Sequence, residues 1–141
     1  SKAVWNDEGL IMQEIEKIQI FQNVGICFQE GMERFIKNEE LYIKYLCAFL
    51  FDGSLEELYT SIEMGEWEAA SKAAWTLKGT AANLAMEKLA ASLQELLFVL
   101  QAGIKSETDV DKVQEQLSVV RQVYEENCAA IDQVYYKGYA E

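Results

Sequence analysis

The chain has 141 residues, 50% of them hydrophobic, and its 24 acidic against 12 basic side chains give a formal charge of −12. This length suits one globular domain that buries about 70% of the surface its unfolded chain exposes, no run approaches the ~18 apolar residues of a membrane span, and the negative charge repels nucleic-acid backbones. Histidine is absent, which excludes phosphohistidine chemistry and histidine-ligated metal sites from this chain.

Proline is absent too, and the glycines fall largely between apolar-periodic segments, a pattern that suits helices punctuated by glycine and capping residues. A first helix is expected from about Asp7 to Gln22, with Ile11, Ile15, Ile18 and Phe21 as its apolar stripe. A shorter one follows from about Ile26 to Ile36. Asn38 then caps a helix from Glu39 to about Phe51, on which Leu41, Tyr42, Tyr45, Leu46 and Phe49 recur at helical spacing. Gly53 breaks it, and Ser54-x-x-Glu57 reads as a capping box for a helix lasting to about Met64 and Gly65. The next two are predicted from Glu66 to Leu84 and from Met86 to Gln101, the second ended by Gly103. The last starts near Ser106 or Thr108 and runs to about Tyr136, and residues from Lys137 onward are expected to fray. Its seam is Val110, Val113, Leu117, Val120, Tyr124, Ile131 and Val134, interrupted only at Asn127. Short connections place successive long helices side by side. The expected fold is therefore one all-α domain, an antiparallel up-down four-helix bundle with additional N-terminal helices and a long C-terminal helix.

Cys27, Cys47 and Cys128 are odd in number and far apart, with no C-x-x-C pair. They read as free thiols of a cytoplasmic protein, each a small core residue rather than a redox or metal site. The carboxylates, Glu68 and Glu87 among them, show no paired spacing that suggests acid–base or metal chemistry, and no cofactor is expected.

The most informative segment is Ala74-Trp75-Thr76-Leu77-Lys78-Gly79-Thr80-Ala81-Ala82-Asn83-Leu84. On a helical wheel with about 100° per residue, Ala70, Ala74, Ala81 and Leu84 fall within about 60° of Leu77 and form a narrow core face of small residues. Trp75 falls about 160° away, on a far face shared with Glu68, Ser71, Lys72, Gly79, Ala82 and Met86, and Lys78 sits at its edge. An indole opposite the core, beside a glycine and an alanine that cannot shelter it, should be at least partly exposed. The alternative is a structural plug tucked under a neighbouring helix or the N-terminal segment. Gly79 costs about 1 kcal/mol relative to alanine inside a helix, which close approach of another surface would explain.

This segment resembles the active helix of the histidine-phosphotransfer (HPt) family, which runs Ala-His-x-Leu-Lys-Gly-x-Ala-x-Asn-Ile or Leu. The similarity extends to Gly31-Met32-Glu33-Arg34-Phe35, to Asn38-Glu39-Glu40-Leu41-Tyr42, to Gly65-Glu66-Trp67 and to Lys88-Leu89 with Leu93, so that it covers residues 24–103. Trp75 stands where the family has its phosphorylated histidine, and Ala85 and Gln94 replace a usual glycine and a frequent glutamate. The resemblance implies an HPt-like bundle in a two-component phosphorelay, with a response-regulator receiver domain or hybrid histidine kinase as partner. Because the indole nitrogen has no free lone pair, the chain is expected to be a non-enzyme. It would bind receivers through Ser71, Lys72, Trp75, Lys78, Gly79 and Ala82, as competitor or adaptor, without accepting phosphate. A structural or oligomerisation bundle is the alternative. No metal, nucleic acid or membrane is expected as ligand, and a monomer is favoured over a dimer.

Overall fold

The computed structural model describes residues 7–137, with side chains for residues 14–135. The protein is all-helical: the described residues form α1 (Asp7–Asn23), α2 (Phe28–Arg34), α3 (Glu39–Phe49), α4 (Ser54–Glu63), α5 (Trp67–Asn83), α6 (Glu87–Gln101) and α7 (Glu107–Ile131), and a π-helix over Asp132–Lys137. The pairing of Ile26 with Met86 is an isolated bridge rather than a strand. No helix among the described residues is long and apolar enough to cross a membrane.

The core follows the apolar spacing in part: of the set expected on α3, Tyr42, Leu46 and Phe49 are buried, whereas Leu41 and Tyr45 are 36% and 49% exposed. Phe21 from α1, Tyr42, Leu46 and Phe49 from α3, Leu58 and Ile62 from α4, and Ala70, Ala74, Leu77 and Ala81 from α5 are buried together with the leucines of α6. The small residues of α5 let both neighbours come close, and this helix packs extensively on α4 and α6, while α6 packs on α7. Several helix ends also follow the sequence. Asn38 caps α3 by accepting from the Leu41 amide at 3.1 Å, Ser106 caps α7 through Asp109 at 3.2 Å, and Gly103 takes the left-handed φ of +95° just beyond α6.

Other expectations are corrected. The capping box does not form: Ser54 is the first residue of α4 and makes no side-chain cap, and its amide instead donates to Asp52 Oδ1 at 2.7 Å. Ile15 is 60% exposed and drops out of the α1 stripe, while the side chain of Ile11 lies outside the described residues. Asn127 does not interrupt the α7 seam; it is fully buried and its Nδ2 donates to the Val24 carbonyl at 2.7 Å. The regular part of the last helix ends at Ile131, Lys137 belongs to the π-helix, and the rest of the expected frayed end lies outside the described residues.

The segment between α1 and α2 is tied to the α5–α6 connection. Gly25 adopts φ +79°, and a Cβ there would sit 2.2 Å from Lys88 Cβ, so the backbone needs glycine for both conformation and space. The Cys27 amide donates to the Ala85 carbonyl at 2.9 Å and the Lys88 amide to the Gly25 carbonyl at 3.1 Å. Gly31 on α2 provides a second close approach, since a Cβ would fall 2.1 Å from the Tyr42 ring. That ring is fully buried and its hydroxyl donates to the Leu84 carbonyl at 2.7 Å.

Candidate functional site

The motif occupies α5. Its wheel holds over the helical residues: Ala70, Ala74, Leu77 and Ala81 are each 0% exposed and Leu84 is 4% exposed, whereas Trp75 on the far side is 65% exposed. Trp75 is therefore no plug. Lys72 and Gly79 are exposed, and Ser71, Lys78 and Ala82 are half-buried. Nothing lies within 4 Å of the position a Gly79 Cβ would take, so no part of the described chain requires the glycine. Met86 is a correction. It is fully buried, because α5 ends at Asn83 and Ala85 turns the chain with φ +59°, so that a wheel extended past Leu84 no longer describes it.

The two lysines flank Trp75 on opposite sides, about 60° away on the wheel. Lys72 lines a recess between α4 and α5 with Glu56, Glu57, Thr60 and Thr76. Lys78 leans to α6, where its Nζ donates to Gln94 Oε1 at 2.5 Å. As a neutral amide, Gln94 orients the ammonium without cancelling its charge. The site is thus an exposed indole between two cations, over a glycine and an alanine. It offers hydrogen-bond donors and apolar area but no nucleophile at its centre: the indole N–H donates and cannot attack phosphorus.

Three features escaped the sequence reading. A cavity of about 620 Å³ opens on the other flank of α5, lined by Arg34, Phe35, Tyr45, Phe49, Thr80 and Asn83 among others. Phe98 on α6 is 71% exposed. Cys27, Glu30 and Glu87 bring one donor atom each within 4.8 Å of one another. A hydrogen bond from Glu87, then one from Arg34, holds Glu30 below the usual carboxylate range, and sharing that hydrogen bond with Glu30 raises Glu87. Both acids face solvent and Glu30 is already paired with Arg34 at 2.9 Å. Nothing in the spacing of residues 30 and 87 could have signalled this pair, which exists only because α2 lies against the start of α6. The three cysteines are free and half-buried, and burial pushes the Cys128 thiol up to about 11, far from a reactive thiolate at neutral pH.

No family model, no curated protein and no solved structure matches the chain.

Proposed function

We propose that this chain is a non-catalytic HPt-like signalling module that binds receiver domains without accepting phosphate, as a competitor of active phosphotransfer proteins or as an adaptor. Its framework in this reading is an antiparallel up-down four-helix bundle of α4, α5, α6 and α7, supported by the packing of each on the next. The observation that carries the proposal is Trp75. At 65% exposure it stands in solvent at the motif position of the reactive histidine, beside Lys78 and an unobstructed Gly79. A scaffold that had lost its partner would have no reason to keep a large ring in water over a bare backbone.

The test is direct. Incubated with a phosphorylated receiver, the protein takes up no acid-labile phosphate, and any stoichiometric phosphoprotein refutes the proposal. Trp75→His should gain at least weak phosphoryl acceptance from the same receiver. Failure of a correctly folded Trp75→His variant, together with no receiver binding by the parent, would favour the structural or oligomerisation bundle.

A further inference from the structure

The cavity of about 620 Å³ beside α5 shares no residue with the receiver-binding surface proposed above, and its size is that of a small-molecule pocket. It is enclosed by the end of α2, by α3 and by the last turn of α5. Much of its wall is aromatic. Phe35 and Tyr45 pack on each other with ring centroids 5.5 Å apart and planes 30° from parallel, and Phe49, otherwise buried in the core, lines the recess as well. Polar capacity is left over beside these rings. Among the described residues, neither the Tyr45 hydroxyl nor the Asn83 side-chain amide has a hydrogen-bond partner. A recess with an apolar body and a few unused polar groups is what a small ligand needs for affinity and orientation.

Charge selects the ligand. Only Arg34 and Asp52 bring charge to the lining, and they are not equivalent. Arg34 is already paired with Glu30 at 2.9 Å, so an incoming anion would have to compete with a carboxylate in place. Asp52 accepts from the Ser54 amide through Oδ1 at 2.7 Å and has no ion pair among the described residues. Glu56 of α4 adds to its field: burial first, then Cys128 and both of these carboxylates, raise the Tyr124 phenol. The lysines of the adjoining segments, Lys37, Lys44, Lys72 and Lys78, line none of the cavity. At longer range a chain of charge −12 attracts cations and repels anions. An ammonium held by a carboxylate beside aromatic faces gains from the ion pair and from the ring quadrupoles together.

We infer that this cavity binds a small organic cation, an ammonium on a ring-sized apolar body, with the ammonium against Asp52 and the body on Phe35 and Tyr45. The site stands apart from the receiver-binding reading and does not depend on it. The experiment titrates the full chain, labelled with nitrogen-15, with phenethylammonium, 2-phenylethanol and phenylacetate at neutral pH and fixed ionic strength, following the backbone amides by NMR. The three share one phenyl body and are cationic, neutral and anionic. The amides around Tyr45, Asp52 and Asn83 should move together, with phenethylammonium bound about 10-fold more tightly than the alcohol and phenylacetate most weakly. Asp52→Asn keeps an oxygen for the Ser54 amide and should bring the ammonium down to the level of the alcohol, whereas Tyr45→Ala should weaken both. The ranking in the parent decides the sign of the charge even if a variant fails to fold. Phenylacetate bound as tightly as the ammonium, a folded Asp52→Asn variant that keeps the ammonium's advantage, or no movement of these amides with about 10 mM ammonium overturns the inference. Lining amides that move with protein concentration or with added receiver domain, and not with the ammonium, also overturn it and give the recess to a second copy or to the receiver.

Discussion

Tyr42 and Trp75 show how one class of side chain serves opposite ends. Tyr42 is fully buried, and its hydroxyl satisfies the Leu84 carbonyl at 2.7 Å. Burial raises its pKa from the ordinary 10.0; burial, followed by the negative charge of Cys128, does the same to Tyr124, and burial lifts the Cys128 thiol from 9.0 to about 11. A group whose folded pKa exceeds its unfolded one contributes stability that is complete below the unfolded value and lost as pH rises through the folded one. Stability to urea should therefore hold through the neutral range, where the chain has no histidine to titrate, and fall above about pH 9. Tyr42→Phe leaves a buried carbonyl unpaired and should cost about 1–3 kcal/mol at pH 7. The two curves should converge as pH rises, and a constant offset up to the highest pH at which both proteins fold would show that Tyr42 takes no part in the alkaline loss. Trp75 is the counter-case. Already 65% exposed, it should change stability by less than about 1 kcal/mol when replaced by alanine, where a buried ring would cost about 3–5 kcal/mol.

At the scale of elements, the turn between α5 and α6 is governed by backbone conformation. Ala85 holds φ +59° while fully buried, a left-handed backbone that favours glycine. Ala85→Gly would relieve about 1–2 kcal/mol of strain. It would also give up about 0.8 kcal/mol of methyl burial and about 0.4–1 kcal/mol through greater freedom of the unfolded chain. The terms nearly cancel, so denaturant melts should place the variant within about 1 kcal/mol of the parent; a loss above about 2 kcal/mol would mean that the methyl fills space its neighbours cannot close. The same turn explains what the sequence made legible. Inside α5 the 3.6-residue period fixed the core face and the exposure of Trp75, because nothing but helix geometry was needed. Past Asn83 the period stops, and Met86 went to the wrong face. The box of Ser54 and Glu57 failed because Asp52, two residues upstream, takes the Ser54 amide that the Glu57 side chain would have used, while the Glu57 amide donates to the Gly53 carbonyl at 3.1 Å. Glu30 beside Glu87 and Asn127 beneath Val24 depend on how elements pair in space, which no spacing along one helix encodes.

The whole molecule is governed by one excess, 24 acidic side chains against 12 basic. Its ion pairs are few among the described residues: Lys17 with Glu14 and Glu39 at 2.8 and 2.6 Å, Arg34 with Glu30 at 2.9 Å, and Lys88 with Glu126 at 4.0 Å. Surface pairs of this kind contribute about 0–1 kcal/mol each and weaken with salt, whereas repulsion among so many like charges opposes the compact state as a whole and is also screened by salt. The second effect should win. Raising ionic strength from 0.1 to 1 M shortens the screening length from about 10 to about 3 Å, and the thermal midpoint should rise. The transition should also be single, because the segment before α2 is bonded to the α5–α6 turn through Cys27 and Ala85 and to α7 through Asn127 and Val24, so that α1 to α3 cannot leave without breaking bonds to the remaining helices. Circular dichroism across a salt series reads both quantities. A midpoint that falls with salt would mean that the few ion pairs outweigh the acidic excess. Two separated transitions would mean that α1 to α3 form a unit of their own, docked on α4 to α7 rather than sharing their core.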